Sequence, residues 1–432
     1  MPGTDPSRHP GNGTEGGGPP VRGAAHIAVV NLPMHGHVNP SLGIVEELVR
    51  RGHRVSYAIT ADFAPQVKAV GAEPVLFPAP VGDAEPPEQL AEGFGMAVRV
   101  SLDSLPALTQ AYAEDRPDLV MYDIYGFAGL LLGSEWRVPT VLMSPTHMFY
   151  DTLVPEMFGV PRLGDLPGYA ELAAAFTERG VSSARIHDIE RAEHAVACLP
   201  RAFQRRADTV AAQRVAYVGP PLGDRSHQGS WRPPQDGRPV VLVSLGSQFT
   251  RRPEFYRSCI EAFAGLPWHV VMSVGSRVHP DGLGPLPDNV EVHPEVPQLA
   301  VLAHAAAFVT HAGMGGTMEA LHHGVPMVAV PQMAEQRVNA AQIERLRLGV
   351  HLPREDATPR ALREAVLQVM SDPAVRDGIA AMRREMAGAG GARAAADLIE
   401  QTLRPGQRVP ARRPVPAPVP APAPVPVRGV TA

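Results

Sequence analysis

A histidine followed by closely spaced glycines is the part of this sequence with the clearest chemical potential. His311 ends an apolar run, and Gly313, Gly315 and Gly316 precede a predicted helix. Backbone N–H groups at a helix start lack partners within the helix and lie at the positive end of its dipole, so they can bind a phosphate. The glycines allow close approach of a ligand, His311 could donate to a phosphate oxygen, and Glu319 could accept from a ribose. A glycine-rich turn without a ligand fits this segment equally well.

Two histidines and an aspartate form a second candidate group. His35 and His37 follow the first predicted strand, and Asp123 ends another. A neutral imidazole suits general-base catalysis at physiological pH. If Asp123 reaches His37, its carboxylate would fix the ring tautomer and stabilise the imidazolium that forms on proton abstraction. A capping or surface histidine and an N-cap aspartate are the alternatives, because the sequence gives no distance between the two residues.

Polar residues also follow several predicted strands and turns of the second half. Ser247 could meet a phosphate, while Val296 and Gln298 could present backbone and amide groups to a flat base. Glu335 and Gln336 place a carboxylate beside an amide, which suits the vicinal hydroxyls of a sugar. Each residue alone is more often a cap or a turn, but their recurrence at successive strand ends favours a common ligand site.

The bulk composition narrows the class of protein. The chain has 432 residues, 44% of them hydrophobic, and a net charge of −5, which argues against a nucleic-acid-binding protein. No apolar run is long enough to cross a bilayer, and no secretory signal is evident, so we expect a cytoplasmic protein. Cys198 and Cys259 lack metal-ligand spacing and are expected to be core residues in a reducing compartment.

Strands that alternate with helices predict an α/β fold with mostly parallel sheets. In the first half, Asn39 and Pro40 predict the N-cap and first turn of a helix that ends at Gly52, with both histidines on the loop before it. A polar, glycine- and proline-containing stretch then separates this half from a second half that restarts with a buried strand. The predicted organisation is a disordered leader (1–24), a first domain (25–218), a linker (219–238), a second domain (239–404) and a disordered proline-rich tail (405–432).

These motifs together resemble the nucleotide-sugar-dependent glycosyltransferases of the two-domain GT-B fold, in which two Rossmann-like doubly wound domains face each other across a cleft. The greatest similarity is to the bacterial macrolide glycosyltransferases and the YjiC-like, flavonoid-accepting enzymes of Bacillus. It covers about residues 25–405 and rests on GHVNP, VSLGS, VPQL and the block from THAGMGG to EQ, in that order.

The resemblance implies an inverting transfer that uses a UDP-sugar, or a TDP-sugar, as co-substrate and requires no metal. It implies that His37 is the catalytic base with Asp123 as its partner. The implied donor contacts are to the diphosphate for His311, Gly313, Gly315, Gly316 and Thr317, to the ribose for Glu319, and to the sugar for Glu335 and Gln336. Two departures from many relatives are Glu295, in place of a tryptophan that stacks on uracil, and Glu335, in place of an aspartate. They weaken the inference of uridine and of glucose, respectively.

The acceptor is expected to be a hydrophobic small molecule with hydroxyl groups, such as a macrolide, a flavonoid or another polyketide, held against the first domain. The candidate lining residues are Phe77, Phe94, Met143, Ser144, Met148 and Phe149, for which core packing is an equal explanation. A GT-B-fold nucleotide-sugar epimerase and a non-catalytic glycosyltransferase-like partner protein are the alternative functions. No integral membrane or nucleic-acid partner is expected, and a monomer and a homodimer are both compatible with the sequence.

Overall fold

The computed structural model describes residues 24–78, 87, 89–223, 225 and 229–403, so the predicted tail and all but the last residue of the predicted leader lie outside the described residues. Two parallel sheets organise the described chain, one formed by strands between His26 and Tyr217 and the other by strands between Val240 and His351. This arrangement confirms the predicted pair of doubly wound α/β domains.

The first sheet has seven parallel strands in the order β3-β2-β1-β4-β5-β6-β7. They are β1 (His26–Val30), β2 (Arg54–Ile59), β3 (Glu73–Leu76), β4 (Leu119–Asp123), β5 (Thr140–Ser144), β6 (His194–Ala197) and β7 (Arg214–Tyr217).

The second sheet has six parallel strands in the order β10-β9-β8-β11-β12-β13. They are β8 (Val240–Ser244), β9 (His269–Ser273), β10 (Val290–His293), β11 (Ala305–Thr310), β12 (Met327–Ala329) and β13 (Gly349–His351).

Thirteen α-helices connect and cover these strands in the described residues. They are α1 (His35–Arg50), α2 (Ala64–Ala69), α3 (Leu90–Ala111), α4 (Phe127–Trp136), α5 (Tyr169–Glu178), α6 (Asp188–Arg191), α7 (Pro253–Phe263), α8 (Gln298–Leu302), α9 (Met314–His323), α10 (Ala334–Arg345), α11 (Pro359–Ser371), α12 (Pro373–Ala389) and α13 (Gly391–Thr402).

The strands are apolar on both faces because helices cover each sheet from both sides. In β1, Ile27 and Val29 belong to the core cluster on one face, whereas Ala28 and Val30 belong to the cluster on the other. The alternation follows from the two-residue period of a strand, and it decides which face each later side chain reaches.

The strand order reverses direction at one point in each sheet. In the first sheet the chain leaves β1 to one side and returns as β4 on the other, with Val30 paired to Tyr122. In the second sheet β8 and β11 have the same relationship, with Ser244 paired to Thr310. Ligands bind at such switch points, beyond the carboxyl ends of the strands, and His37, Asp123, Ser247 and His311 end or follow these four strands.

The packing of α13 differs from the predicted division into domains. Residues 239–404 were predicted as one domain, but Ala395, Ala396 and Ile399 of α13 lie in a core cluster of the first sheet. Arg51, at the end of α1, donates to Asp397 at 2.7 Å. The amphipathic pattern indicates that α13 needs an apolar partner, but does not say which sheet provides it.

Candidate active site

His37 lies in the first turn of α1 rather than on a loop. The helix begins at His35 with Met34 as N-cap, and Pro40 lies inside it, so the predicted start at Asn39 is wrong. The backbone N–H of His37 already donates to Met34 O at 2.9 Å. Pro40 is the sixth residue of α1, so it supplies no N–H for the carbonyl oxygen of Gly36, four residues earlier, and the helix continues without that hydrogen bond.

A buried polar network fixes this turn against the sheet. Asn31 follows β1, and its amide donates to the carbonyl oxygen of His37 at 3.0 Å and to the Tyr57 hydroxyl at 2.8 Å. The hydroxyl groups of Tyr57 and Ser41 lie 2.6 Å apart. Because Asn31, Ser41 and Tyr57 are all buried, the position of His37 is set by groups with few alternative partners.

Asp123 holds the ring of His37 from the neighbouring strand. His37 Nδ1 lies 3.0 Å from Oδ1 and 2.9 Å from Oδ2 of Asp123. The Asp123 side chain is fully buried, whereas that of His37 is 15% exposed. The backbone N–H of Tyr125 also donates to Asp123 Oδ1 at 2.9 Å. The carboxylate therefore keeps a proton on Nδ1 and leaves Nε2, which has no hydrogen-bond partner among the described residues, able to accept one.

The electrostatics of His37 suit a base. Burial of the ring lowers the pKa of His37, but the charge and hydrogen bond of Asp123 and the charge of Glu335 raise it, and the net direction is upward. A raised pKa strengthens Nε2 as a proton acceptor. His35, the other candidate, is exposed and packs edge-on against Phe63 at a ring separation of 4.9 Å, so the structure brings only His37 to Asp123.

The glycine-rich turn lies at the switch point of the second sheet. Gly313 is the N-cap of α9, and Ala312 before it adopts a left-handed conformation with φ of 61°. A Cβ atom at Gly313 would lie 2.3 Å from His311 Nε2, and one at Gly246 would lie 2.6 Å from His311 Cε1. The ring thus lies directly against the backbone of both glycines, and no larger residue fits there without displacing it.

The ring of His311 is neutral at physiological pH. Burial lowers the pKa of His311 to about 4, against a smaller upward effect of a hydrogen bond to the backbone of Ser244. A neutral ring has one N–H, which can donate either to that backbone or to an anion. Thr317, in the first turn of α9, is fully buried, and its hydroxyl has no hydrogen-bond partner among the described residues. Gly315 leaves open space where its side chain would be.

Glu319 is engaged by two other side chains. Arg225 donates to its Oε1 at 2.5 Å, and Gln298 donates to its Oε2 at 2.6 Å. Gln298 therefore lies beside Glu319, the residue that is predicted to bind the ribose. Val296 packs partly buried against the core of the second sheet, and Ser247 is exposed after β8. Sequence reasoning missed Arg225, because a single arginine in a predicted linker carries no recognisable signal.

Glu335 and Gln336 begin α10 but point to different partners. Thr146, which follows β5, donates to Glu335 Oε1 at 2.8 Å across the cleft between the domains. Gln336 is buried, and its Oε1 accepts the backbone N–H of Gln332 at 2.8 Å. The contribution of Glu335 to the pKa of His37 indicates that these two side chains are close. The predicted base and one of the predicted sugar-binding residues therefore share one region.

The candidate acceptor residues divide between the two faces of the first sheet. Phe77, Phe94, Met148 and Phe149 are buried in one core cluster. Met143 lies in the cluster on the opposite face, because successive side chains of β5 point to opposite faces of the sheet. Ser144 is buried and donates to Thr146 O at 2.9 Å. None of these six side chains is exposed.

Tyr125 connects His37 to this aromatic cluster and was missed from sequence. Its ring centroid lies 5.6 Å from that of His37 and 6.3 Å from that of Phe94, which it meets edge-on. Its position two residues after Asp123 was the available signal. Phe94 also contacts Phe127 and Phe158, so an apolar aromatic wall begins beside the candidate base.

Other features of the described residues lie away from this region. A cavity of about 1150 Å³ opens near the amino ends of β5, β6 and β7, and its lining includes Arg137, Arg185 and Arg214. No cluster of three or more metal-ligating side chains occurs in the described part of the chain. Within the same residues, no helix has the length and apolar character needed to span a membrane.

Comparison with known proteins identifies the family. Residues 258–400 match the family described as "Erythromycin biosynthesis protein CIII-like, C-terminal domain". The chain is 42% identical to an oleandomycin glycosyltransferase of Streptomyces antibioticus, over 88% of this chain and 91% of the relative. It is 38% identical to the NDP-glycosyltransferase YjiC of Bacillus licheniformis, over 89% of this chain and 99% of the relative.

A solved structure of a glycosyltransferase has the same fold. The glycotransferase of kitacinnamycin matches with a TM-score of 0.79 and 39% identity, over 88% of this chain and 99% of that one. The predicted GT-B fold is confirmed by this match and by the two switch points described above. Together, the identity to the relatives and the shared fold show that the chain is a nucleotide-sugar-dependent enzyme of the bacterial macrolide and YjiC-like glycosyltransferase family.

Proposed function

We propose that this glycosyltransferase moves a hexose, with glucose as the first candidate, from a nucleoside-diphosphate sugar to a hydroxyl group of a hydrophobic small molecule, with His37 as general base. The observation that carries the proposal is the His37–Asp123 pair. Nδ1 lies 2.9 Å from a buried carboxylate, Nε2 has no hydrogen-bond partner among the described residues, and the charge of Glu335 in the second domain contributes to the raised pKa of His37.

The proposed reaction is a single displacement. His37 Nε2 takes the proton of the acceptor hydroxyl, and the oxygen attacks the anomeric carbon as the bond to the diphosphate oxygen breaks. The configuration at that carbon inverts, the nucleoside diphosphate leaves with the bonding electrons, and the proton remains on the imidazolium beside Asp123. No carboxylate nucleophile is needed, unlike in a double displacement.

The departing diphosphate is proposed to lie at the N-terminus of α9. Free N–H groups and the helix dipole favour negative charge there, and a neutral His311 against Gly313 can donate a hydrogen bond. Preorganised donors aimed at developing charge account for a large part of many enzymatic rate enhancements. We therefore expect catalysis to proceed without a metal ion.

Glu319 is proposed to bind the ribose, with Gln298 beside it. Each oxygen of Glu319 accepts one hydrogen bond from a protein group, and because a carboxylate oxygen can accept a second one, Glu319 can bind a ribose hydroxyl while keeping both bonds. Glu335 and Gln336 remain the candidates for the donor sugar. The choice between uridine and thymidine is left to experiment, because Glu295 stands where many relatives have a tryptophan.

The acceptor is proposed to be a macrolide or a related polyphenol or polyketide. Tyr125 offers a partly exposed aromatic ring next to the base, and the buried aromatic cluster around Phe94 packs behind it. A relative at 42% identity is named for oleandomycin, which makes that macrolide the first acceptor to test. Neither the epimerase nor the non-catalytic partner is favoured, because an epimerase needs no acceptor base and both members of the base pair are present.

The test is mass spectrometry of reactions with oleandomycin and with a flavonoid, each supplied with UDP-glucose or dTDP-glucose. The wild-type protein is expected to add one hexose to an acceptor, and His37→Ala is expected to lose this activity while binding the donor normally. Loss of donor binding in His37→Ala would contradict its role as base. Formation of a new nucleotide sugar without an acceptor would instead support epimerisation.

A further inference from the structure

Three fully buried residues lie at or near the turn after His311. His147 lies in the segment after β5, Asn339 in α10, and Ala312 between β11 and α9, and each has 0% exposure. Neither His147 nor Asn339 belongs to the candidate residues described above. Buried polar side chains are retained in a core at a cost unless their hydrogen bonds are satisfied, so their partners indicate what they do.

Asn339 holds the backbone of the turn. Its Nδ2 donates to the carbonyl oxygen of Ala312 at 2.9 Å. Ala312 has a φ of 61°, a conformation that costs a residue with a Cβ about 1–2 kcal/mol. In a trans peptide, the C=O of one residue and the N–H of the next point in opposite directions. Fixing the Ala312 carbonyl toward α10 therefore directs the N–H of Gly313, the N-cap of α9, away from α10.

Asn339 uses only Nδ2 for a hydrogen bond, because its Oδ1 has no partner among the described residues. Nε2 of His147 is also buried without a partner among those residues. His147 Nδ1 accepts the backbone N–H of Arg205 at 3.3 Å, and burial and the nearby charge of Arg205 lower the pKa of His147 to about 3. His147 is therefore bonded to the backbone of Arg205 rather than to Asn339.

The ring of His147 is itself held in place. It stacks on Phe203 with the planes 4° apart and the centroids 5.8 Å apart. Gln342, one turn after Asn339 in α10, donates to the carbonyl oxygen of Phe203 at 2.8 Å. The seam between the first domain and α10 is thus built from two side-by-side buried amides, of which only Asn339 reaches the turn.

We propose that Asn339 is a positioning residue for the diphosphate of the donor. The bond to Ala312 holds the 312–313 peptide so that the N–H of Gly313 and the ring of His311 face the leaving group together. This inference rests on the proposed binding of the diphosphate at this turn.

The test compares Asn339→Leu with the matched control Gln342→Leu. Both changes remove a buried amide of α10 that bonds a backbone carbonyl, but only the first frees Ala312. The Kd of UDP and of dTDP is measured by calorimetry, and kcat and KM are measured for donor and acceptor. We expect Asn339→Leu to raise the nucleotide Kd and the donor KM at least tenfold and to leave the acceptor KM within twofold, whereas Gln342→Leu leaves the nucleotide Kd within threefold.

A second variant at the same position keeps the test informative if the first one folds poorly. Asn339→Ser, which is smaller and cannot reach Ala312, gives a second measurement should Asn339→Leu fold poorly. Circular dichroism and thermal unfolding establish that each variant compared is folded.

The outcomes separate this inference from the function on which it rests. A nucleotide Kd for Asn339→Leu and Asn339→Ser within threefold of wild type, with binding weakened in His311→Ala, would overturn the role of Asn339 and leave the diphosphate site intact. Equal losses in Asn339→Leu and Gln342→Leu would overturn it also. Normal binding in both His311→Ala and Asn339→Leu would instead mean that the turn does not hold the diphosphate.

Discussion

Replacing Asp123 with asparagine tests the His37 pair without changing the shape of the site. The Tyr125 N–H donates to Oδ1 of Asp123 at 2.9 Å, so the oxygen of an asparagine is held at that position. Its NH₂ group would then occupy the Oδ2 position, 2.9 Å from His37 Nδ1. An NH₂ group donates, so it favours the tautomer in which Nδ1 accepts and the imidazole proton lies on Nε2, while the asparagine oxygen, 3.0 Å from Nδ1, is the one acceptor left for the original tautomer. In that tautomer Nε2 has no lone pair for the acceptor proton.

The expected loss is the contribution of a general base. Such catalysis contributes about 10²–10⁴-fold, which corresponds to about 2.7–5.4 kcal/mol of transition-state stabilisation. We expect Asp123→Asn to lower kcat by a factor within this range. The rate is measured as hexosylated product by liquid chromatography and mass spectrometry. The Kd of the nucleoside diphosphate should stay within twofold, because its proposed ligands belong to the second domain.

The pH dependence of kcat/KM gives a second, independent test of the role of His37. His37 acts as a base only when neutral, so kcat/KM should rise with pH and level off above its pKa. In the wild type that midpoint is expected above the ordinary value of 6.5, because the net shift is upward. Asp123→Asn removes the charge that raises the pKa and keeps the burial that lowers it, so the midpoint should move down. A kcat within threefold of wild type, or an unmoved midpoint, would refute the assignment of His37 and Asp123.

Three further predictions concern the second domain. His311→Ala should raise the Kd of the bound nucleoside diphosphate about 10–100-fold, since a hydrogen bond to a charged group contributes about 1.5–3 kcal/mol; calorimetry that gives an unchanged Kd would contradict its role. Gly246→Ala should lower the free energy of unfolding by about 1–3 kcal/mol more than Gly265→Ala, because both glycines have positive φ but only at Gly246 would a Cβ lie within 3 Å of the His311 ring; equal losses in denaturant titrations would contradict the contact. EDTA should leave the turnover rate unchanged, because the leaving diphosphate is expected to be stabilised by α9 and His311; a rate restored only by added Mg²⁺ would disprove this.

Much of the architecture follows from local patterns. The alternation of buried strands such as Val240–Ser244 with helices such as Pro359–Ser371 follows from the sequence, because apolar periodicity and capping residues act over short stretches. The start of α1 was missed because Asn39 and Pro40 form a strong local signal. In the folded protein the amide of Asn31 and the adjacent strand stabilise an earlier start.

The candidate site was only partly determined by local sequence. Residue types at predicted strand ends indicated His37, Asp123 and His311, because a parallel sheet gathers the ends of its strands at one edge. The pairing of Glu319 with Arg225, the contact of Tyr125 with His37 and the placement of Met143 on the far face depend on sheet order and strand register.

The sequence by itself determined the two α/β domains, the base candidate and the glycine-rich turn, because each of these features depends on the types of residues that lie a few positions apart. Tertiary structure alone decided that His37 meets Asp123 over 86 positions, that α13 returns to the first sheet, and that Asn339 reaches Ala312. Those contacts join residues far apart in the chain, and their energies depend on burial and on distances that only the packed fold sets.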